Sequence, residues 1–256
     1  MSVVTGDERI NIPEHRVEVR CFRRDVYPAS RSPRHIHTPS DTIRVPRCDR
    51  RRHRRRERFS DRFYRVGRYG HPMTKIVVVD NHGQFTHLER RALRDLGVDT
   101  ELIDNETPPA DVDADGVVLS GGPDMDRIGE SPAYLEADVP VLGICLGMQL
   151  IAAELGGSVG SGEYGGYADV TVDIVDEDDP LTGSLHPETR VWASHADEVT
   201  ELPAGFELTA KSDVCNVEAM SDTDRDLYGV QWHPEVAHTE EGDEIFENFL
   251  AICESR

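Results

Sequence analysis

Lysine is almost absent from most of this chain: after residue 72 only Lys75 and Lys211 remain. Residues 1–72 hold 19 Arg, no Lys and 9 Asp or Glu. Of the 28 basic and 49 acidic side chains in the whole chain, 9 and 40 therefore fall in residues 73–256, a net charge of −31 there against +10 before it. So acidic a surface repels phosphates, which excludes nucleic-acid binding by this part. Cysteine pairs are missing too. Cys21, Cys48, Cys145, Cys215 and Cys253 are odd in number and contain no CxxC, so neither a disulfide framework nor a zinc site is suggested, and no metal is expected. No apolar run approaches the length needed to span a bilayer, and no apolar core follows the N-terminus as in a signal peptide. These absences predict a soluble, cytoplasmic protein with no membrane partner. No GxxxxGK[ST] loop occurs either, so nucleotide binding by this chain is not expected.

What is present divides into two unlike compositions. The run "RCDRRRHRRRERF", Arg47 to Phe59, is an arginine block that cannot join a core. Residues 1–72 therefore read as a disordered basic extension. It is either an arm for nucleic acid or an acidic partner, or upstream sequence ahead of a true start at Met73. Residues 73–256 read as one folded domain. Their lysine depletion is similar to that of salt-adapted, halophilic cytoplasmic proteins, in which high ionic strength screens self-repulsion.

The folded part begins with "TKIVVVD", Thr74–Asp80, a β-branched apolar run of the kind buried on both faces of a sheet. Phe85, Leu88, Ala92, Leu93 and Leu96 then recur at helical spacing, with Gly97 as the stop. "VDTELID", "DGVVLSGGP" and "VPVLGIC" read as further strands, and Leu146–Leu155 as a helix closed by Gly156 and Gly157. Alternating strands and helices predict an α/β fold, an open and mostly parallel sheet flanked by helices. Beyond Gly157 the pattern changes to strands and hairpins: "YADVTVDIVDE", "TRVWASH", "FELTAKS", "NVEAMSD" and "DLYGVQWHPE". A last helix follows, with Thr239 as its expected N-cap and Ile245, Phe249 and Ile252 as its apolar stripe.

Cys145 sits in "GICLG", between a strand and a helix, with Gly143 and Gly147 two residues to either side. That is the form of a nucleophile elbow, where crowding at those two positions demands glycine. It sets the thiol near a helix N-terminus, where dipole and free N–H groups favour a thiolate. A small core residue is the plainer reading of any cysteine. "QWHPE" supplies a base: His233 and Glu235, two apart in an extended segment, project to one side, so the carboxylate can hold one imidazole nitrogen while the other faces a thiol. "LSGGP", Leu119–Pro123, ends a strand with two glycines whose N–H groups could turn towards a ligand. A plain turn and a phosphate loop are the alternatives there, and the second lacks its hydroxyl because Met125 stands in that place. Cys215 and Cys253 have no such partners and read as structural.

"SGGP", "GICLGMQ" and "HPE", in this order and spacing, resemble the class I (triad) glutamine amidotransferases over Met73 to about Cys253. "DNHGQFTH", "VWASHADEV" and "GVQWHPEVAHTEEGDEIFENF" are similar, more narrowly, to the glutaminase subunits of archaeal two-subunit GMP synthases. The resemblance implies the flavodoxin-like fold of that family, with Cys145 as nucleophile, His233 as base and acid, and Glu235 orienting His233. It further implies an oxyanion hole from the N–H groups of Gly122 and Leu146, and glutamine contacts from Gln149, Ser194 and Asp197. Ala196 and Glu198 stand where many relatives have Gly and Lys, which bears on the substrate loop and partner contact. The implied reaction is hydrolysis of glutamine to glutamate, with ammonia passed to a separate ATP pyrophosphatase subunit that aminates XMP to GMP. On this reading the chain needs no cofactor of its own, ATP and Mg belong to the partner, and the two form a heterodimer or larger assembly. Anthranilate or aminodeoxychorismate synthase glutaminase and a non-catalytic regulatory module with the same fold are the competing expectations.

Overall fold

The computed structural model describes residues 73–256; the expected N-terminal extension, with Cys21 and Cys48, lies outside them. β1 (Lys75–Asp80) is buried along Ile76–Val79, and its β-branched side chains fill both faces of the sheet. It pairs in parallel with β2 (Asp99–Asp104) on one side and β3 (Gly116–Leu119) on the other. β4 (Val141–Ile144) and β9 (Leu227–Val230) continue the parallel ladder. Four strands then add in antiparallel fashion: β8 (Ala219–Asp222), β7 (Glu207–Ser212), β5 (Ser158–Ile174) and β6 (Glu188–Glu201). The order across this nine-stranded sheet is β2-β1-β3-β4-β9-β8-β7-β5-β6.

Helices cover both faces. α1 (Thr86–Asp95) and α3 (Gly242–Glu254) share one core with Ile76, Val78, Leu142 and Ile144. α2 (Leu146–Glu154) lies on the other, against Val79, Val117 and Leu119. Phe246 and Phe249 of α3 are fully buried and contribute on the order of 1.5–3 kcal/mol each. α2 is buried nearly all round, because β3, β4, β9 and the long β5–β6 ribbon enclose it.

Three local expectations are corrected. Thr239 does not cap α3, whose N-cap is Glu241 in a left-handed conformation (φ 55°) without a side-chain cap. The Thr239 hydroxyl instead donates to the His233 carbonyl at 2.6 Å and accepts from the Trp192 N–H at 3.0 Å, stitching β6 to the segment after β9. α1 buries Glu89 beside Leu93, a charged residue inside the face expected to be apolar. β5 and β6 run longer than their hydrophobic patterns, because the paired ribbon extends beyond the core.

Candidate active site

The carboxyl ends of the parallel strands β1, β3, β4 and β9 converge on one cleft of about 590 Å³, the place where open α/β sheets hold ligands. Cys145, directly after β4, takes φ 52° and ψ −105° at the N-cap of α2. A non-glycine residue there is strained, and the surrounding packing holds it. The turn closes because Gly143 and Gly147 touch: a Cβ on Gly143 would come within 2.5 Å of the Gly147 carbonyl carbon, and one on Gly147 would strike the Leu119 carbonyl. The elbow expected from "GICLG" is the observed geometry.

His233 follows β9, its backbone N–H bonded to the Trp192 carbonyl at 3.1 Å. Its Nδ1 lies 2.7 Å from Oε1 of Glu235, whose side chain is completely buried. Cys145 and His233 meet over Gly121, where a Cβ would lie 3.2 Å from His233 Cε1 and 3.7 Å from Cys145 Cβ. Phe85 presses edge-on to the imidazole, with ring centroids 5.2 Å apart. Burial alone lowers the His233 pKa, but hydrogen bonds to Cys145 and Glu235 and their charges overcome it and push it up to about 10. That shift favours the protonated ring beside the Cys145 sulfur.

Gly122 and Leu146 both line the cleft beside Cys145. Leu146 opens α2, so its N–H has no acceptor within the helix. Gly122 is pinned where a Cβ would strike the Asn81 carbonyl and come 2.6 Å from Leu146 Cδ2. The loop is held from below: Ser120 Oγ accepts the Asn81 N–H at 2.9 Å and donates to the Gly121 carbonyl at 2.9 Å. Gln149, Ser194 and Asp197 also reach the cleft. The Gln149 amide nitrogen donates to the Asp197 carbonyl at 2.6 Å and to Gln231 Oε1 at 3.2 Å, joining α2 to β6. The Asp197 carboxylate accepts from Ser161 Oγ at 3.0 Å. Seven of the eight residues expected from the sequence line one cleft, and Glu235 is buried next to His233.

Two more residues were not foreseen. Gln231, fully buried, points its amide nitrogen at the Cys145 sulfur over 3.6 Å. Glu89 is 1 % exposed, and its Oε1 receives the Gly121 N–H at 3.5 Å. Its Oε2 and the Oε2 of Glu235 both lack a hydrogen-bond partner among the described residues. Burial and then the Glu235 charge push the Glu89 carboxyl well above the usual range, against the lowering pull of His233 and the Gly121 N–H. Glu89 is thus a buried acid under the triad. "QWHPE" offered a signal for Gln231; nothing local marked Glu89.

The family described as "Glutamine amidotransferase class-I" matches residues 77–253. Over 181 residues the chain is 82% identical to a protein from Natronomonas pharaonis named as one of the subunits of glutamine-hydrolyzing GMP synthase, covering 71% of this chain and 98% of that one. The protein of the same name from Haloarcula marismortui is 77% identical over 184 residues, covering 72% and 97%. Among solved structures, the corresponding GMP synthase protein from Thermoplasma acidophilum superposes with a TM-score of 0.69 at 41% identity, over 72% of this chain and 96% of that one.

Proposed function

The chain belongs to the class I glutamine amidotransferases, and we propose that it is the glutamine-hydrolysing subunit of a two-subunit GMP synthase. The observation that carries the catalytic part is the 2.7 Å pair of His233 and a fully buried Glu235, beside a cysteine on a strained elbow. The proposed Cys145 thiolate attacks the side-chain amide carbon of glutamine, and the C–S bond forms as the carbonyl electrons move to oxygen. The N–H groups of Gly122 and Leu146 receive that oxyanion, a role worth about 2.7–4 kcal/mol per donor in comparable holes. The His233 imidazolium gives its proton to the departing nitrogen, so ammonia leaves and a glutamyl thioester remains. Now neutral, His233 takes a proton from water, which attacks the thioester and expels the thiolate, giving glutamate. Gln149, Ser194 and Asp197 hold the amino-acid end of the substrate.

The GMP synthase assignment rests on the names and high identity of the relatives. We take the acceptor of ammonia to be a separate subunit that consumes ATP and XMP. Ammonia released without an acceptor is lost, so closure of the segments around Ser194–Glu198 and His233–His238 on partner binding fits this chemistry. The test is glutamate release with and without a synthase subunit loaded with ATP and XMP, in low and molar salt. Stimulation by that partner is expected. Full activity of the chain alone, or stimulation by a chorismate-using synthase instead, overturns the assignment.

A further inference from the structure

Where β6 meets the turn between β7 and β8, beside the cleft that His195 also lines, a cluster gathers that the proposed glutaminase chemistry does not use. His195 lies between Ser194 and Asp197 on β6, Cys215 lies in the β7–β8 turn, and Glu218 immediately precedes β8. One donor atom from each falls within 4.8 Å of the others. All three are at least nine-tenths buried, at 6 %, 2 % and 0 % exposure, and Glu198 beside them is 7 % exposed. Among the described residues, His195 Nε2, Glu218 Oε2 and Glu198 Oε2 have no hydrogen-bond partner. Among the described residues no lysine or arginine pairs with either glutamate. Burial, with the neighbouring Glu198 charge, pushes the Glu218 carboxyl up to about 7 against the pull of the Ser212 hydroxyl, and a bound cation would relieve the same desolvation.

We propose that His195, Cys215 and Glu218 form a buried zinc site that ties β6 to the β7–β8 turn. The supporting contacts are those a metal needs. The His195 Nδ1 lies 3.1 Å from the Asp197 carbonyl, which fixes the Nδ1–H tautomer and turns the Nε2 lone pair into the cluster. Ser212 Oγ donates to Glu218 Oε1 at 2.7 Å, leaving Oε2 free, and accepts the Cys215 N–H at 3.0 Å, fixing the turn that presents the sulfur. One nitrogen, one thiolate and one carboxylate oxygen suit the borderline-soft zinc ion. Three protein donors lie within reach of one ion, and the fourth tetrahedral position falls to water or to the buried Glu198 next to Cys215. Donors around zinc at 2.0–2.3 Å stand about 3.3–3.8 Å apart, so the cluster contracts by about 1 Å on binding. The Cys215 thiol, which donates to the Val217 carbonyl at 3.3 Å, gives up its proton to solvent as the Zn–S bond forms. The site is independent of the glutaminase reading, and its tests read metal rather than activity.

The experiment uses the full chain, stripped with a chelator and titrated with Co²⁺ and Zn²⁺. Elemental analysis after desalting is expected to give about one zinc per chain, and Co²⁺ to give a thiolate charge-transfer band in the near ultraviolet. Cys145→Ala should keep the band, and Cys215→Ala should lose it. Where Cys215→Ala is not recovered folded, Glu218→Gln, which preserves shape and the Ser212 contact, should lower cobalt affinity by at least about tenfold. Absence of bound zinc and of the band overturns the proposal. So does a band that survives Cys215→Ala or disappears in Cys145→Ala.

Discussion

Replacing Glu235 by glutamine probes the triad where its electrostatics are most concentrated. The side chain is fully buried and holds His233 Nδ1 at 2.7 Å. Glutamine keeps the shape but loses the charge, and its NH₂ can face Nδ1 and select the wrong tautomer. A charge-assisted hydrogen bond is worth about 1.5–3 kcal/mol, or roughly 10- to 150-fold in kcat/KM. The tautomer error can extend the loss towards about ten-thousand-fold, as the equivalent Asp→Asn change does in a Ser-His-Asp triad. Stability should respond in a defined pH window. Because the folded His233 pKa is raised to about 10, its contribution is fully present below the unfolded value of about 6.5 and disappears as pH rises through about 10. A variant whose His233 pKa falls by one to two pH units should be less stable by about 1.4–2.7 kcal/mol near pH 6, and equal to the parent above about pH 10.5. Glutamate release at saturating partner and urea melts at the two pH values measure both effects. A rate within about threefold of the parent, or a stability deficit that grows with pH, would refute the reasoning.

Gly147→Ala drives a Cβ into the Leu119 carbonyl and should cost about 1–3 kcal/mol or more, whereas Gly160→Ala, which meets only Thr200 Cγ2 at 3.7 Å, should stay within about 1 kcal/mol; equal urea midpoints would refute the packing argument for the elbow. Glu89→Gln keeps an acceptor for the Gly121 N–H but removes the acid. Since the folded Glu89 pKa is raised by burial and by Glu235, with Asp80 adding and His233 opposing, the unfolded chain ionises first and the parent loses stability as pH climbs past about 4.3. The variant should therefore gain on the parent between acid and neutral pH, and an advantage that does not grow over that range would contradict the assignment of a neutral buried acid. Cys145→Ala should leave the fold intact and end glutamine hydrolysis, while GMP formation from added ammonia by the assembled synthase continues; glutamate release at the parent rate would remove Cys145 from the mechanism.

The parts of the site that were legible in the sequence are those set by local sterics. "GICLG" and "LSGGP" constrain a few adjacent residues, and the close approaches at Gly143, Gly147 and Gly122 turn those constraints into geometry. "QWHPE" carries the proposed base, His233, and its paired carboxylate, Glu235, within three residues. The strand order was legible only in class, since hydrophobic runs mark strands without saying which neighbours pair. Glu89 was hidden because one charge on a helix reads as its solvent face, and only the packing of α1 on β1 and β2, with the loop after β3 against it, buries it. Thr239 looked like a cap from its acidic followers, yet its hydroxyl bonds to β6 and to His233, 47 and 6 residues away. The His195–Cys215–Glu218 cluster was equally hidden, because its members come from β6 and the β7–β8 turn and match no contiguous metal motif.

The most direct measurement of the central claim is covalent capture at the sulfur. A diazo-ketone analogue of glutamine, offered to the full chain with its loaded partner and followed by peptide mass spectrometry, should modify Cys145 alone, with glutamate release falling in step with modification and glutamine protecting. Modification of Cys215 or Cys253 instead, or full loss of activity with Cys145 unmodified, would contradict the account.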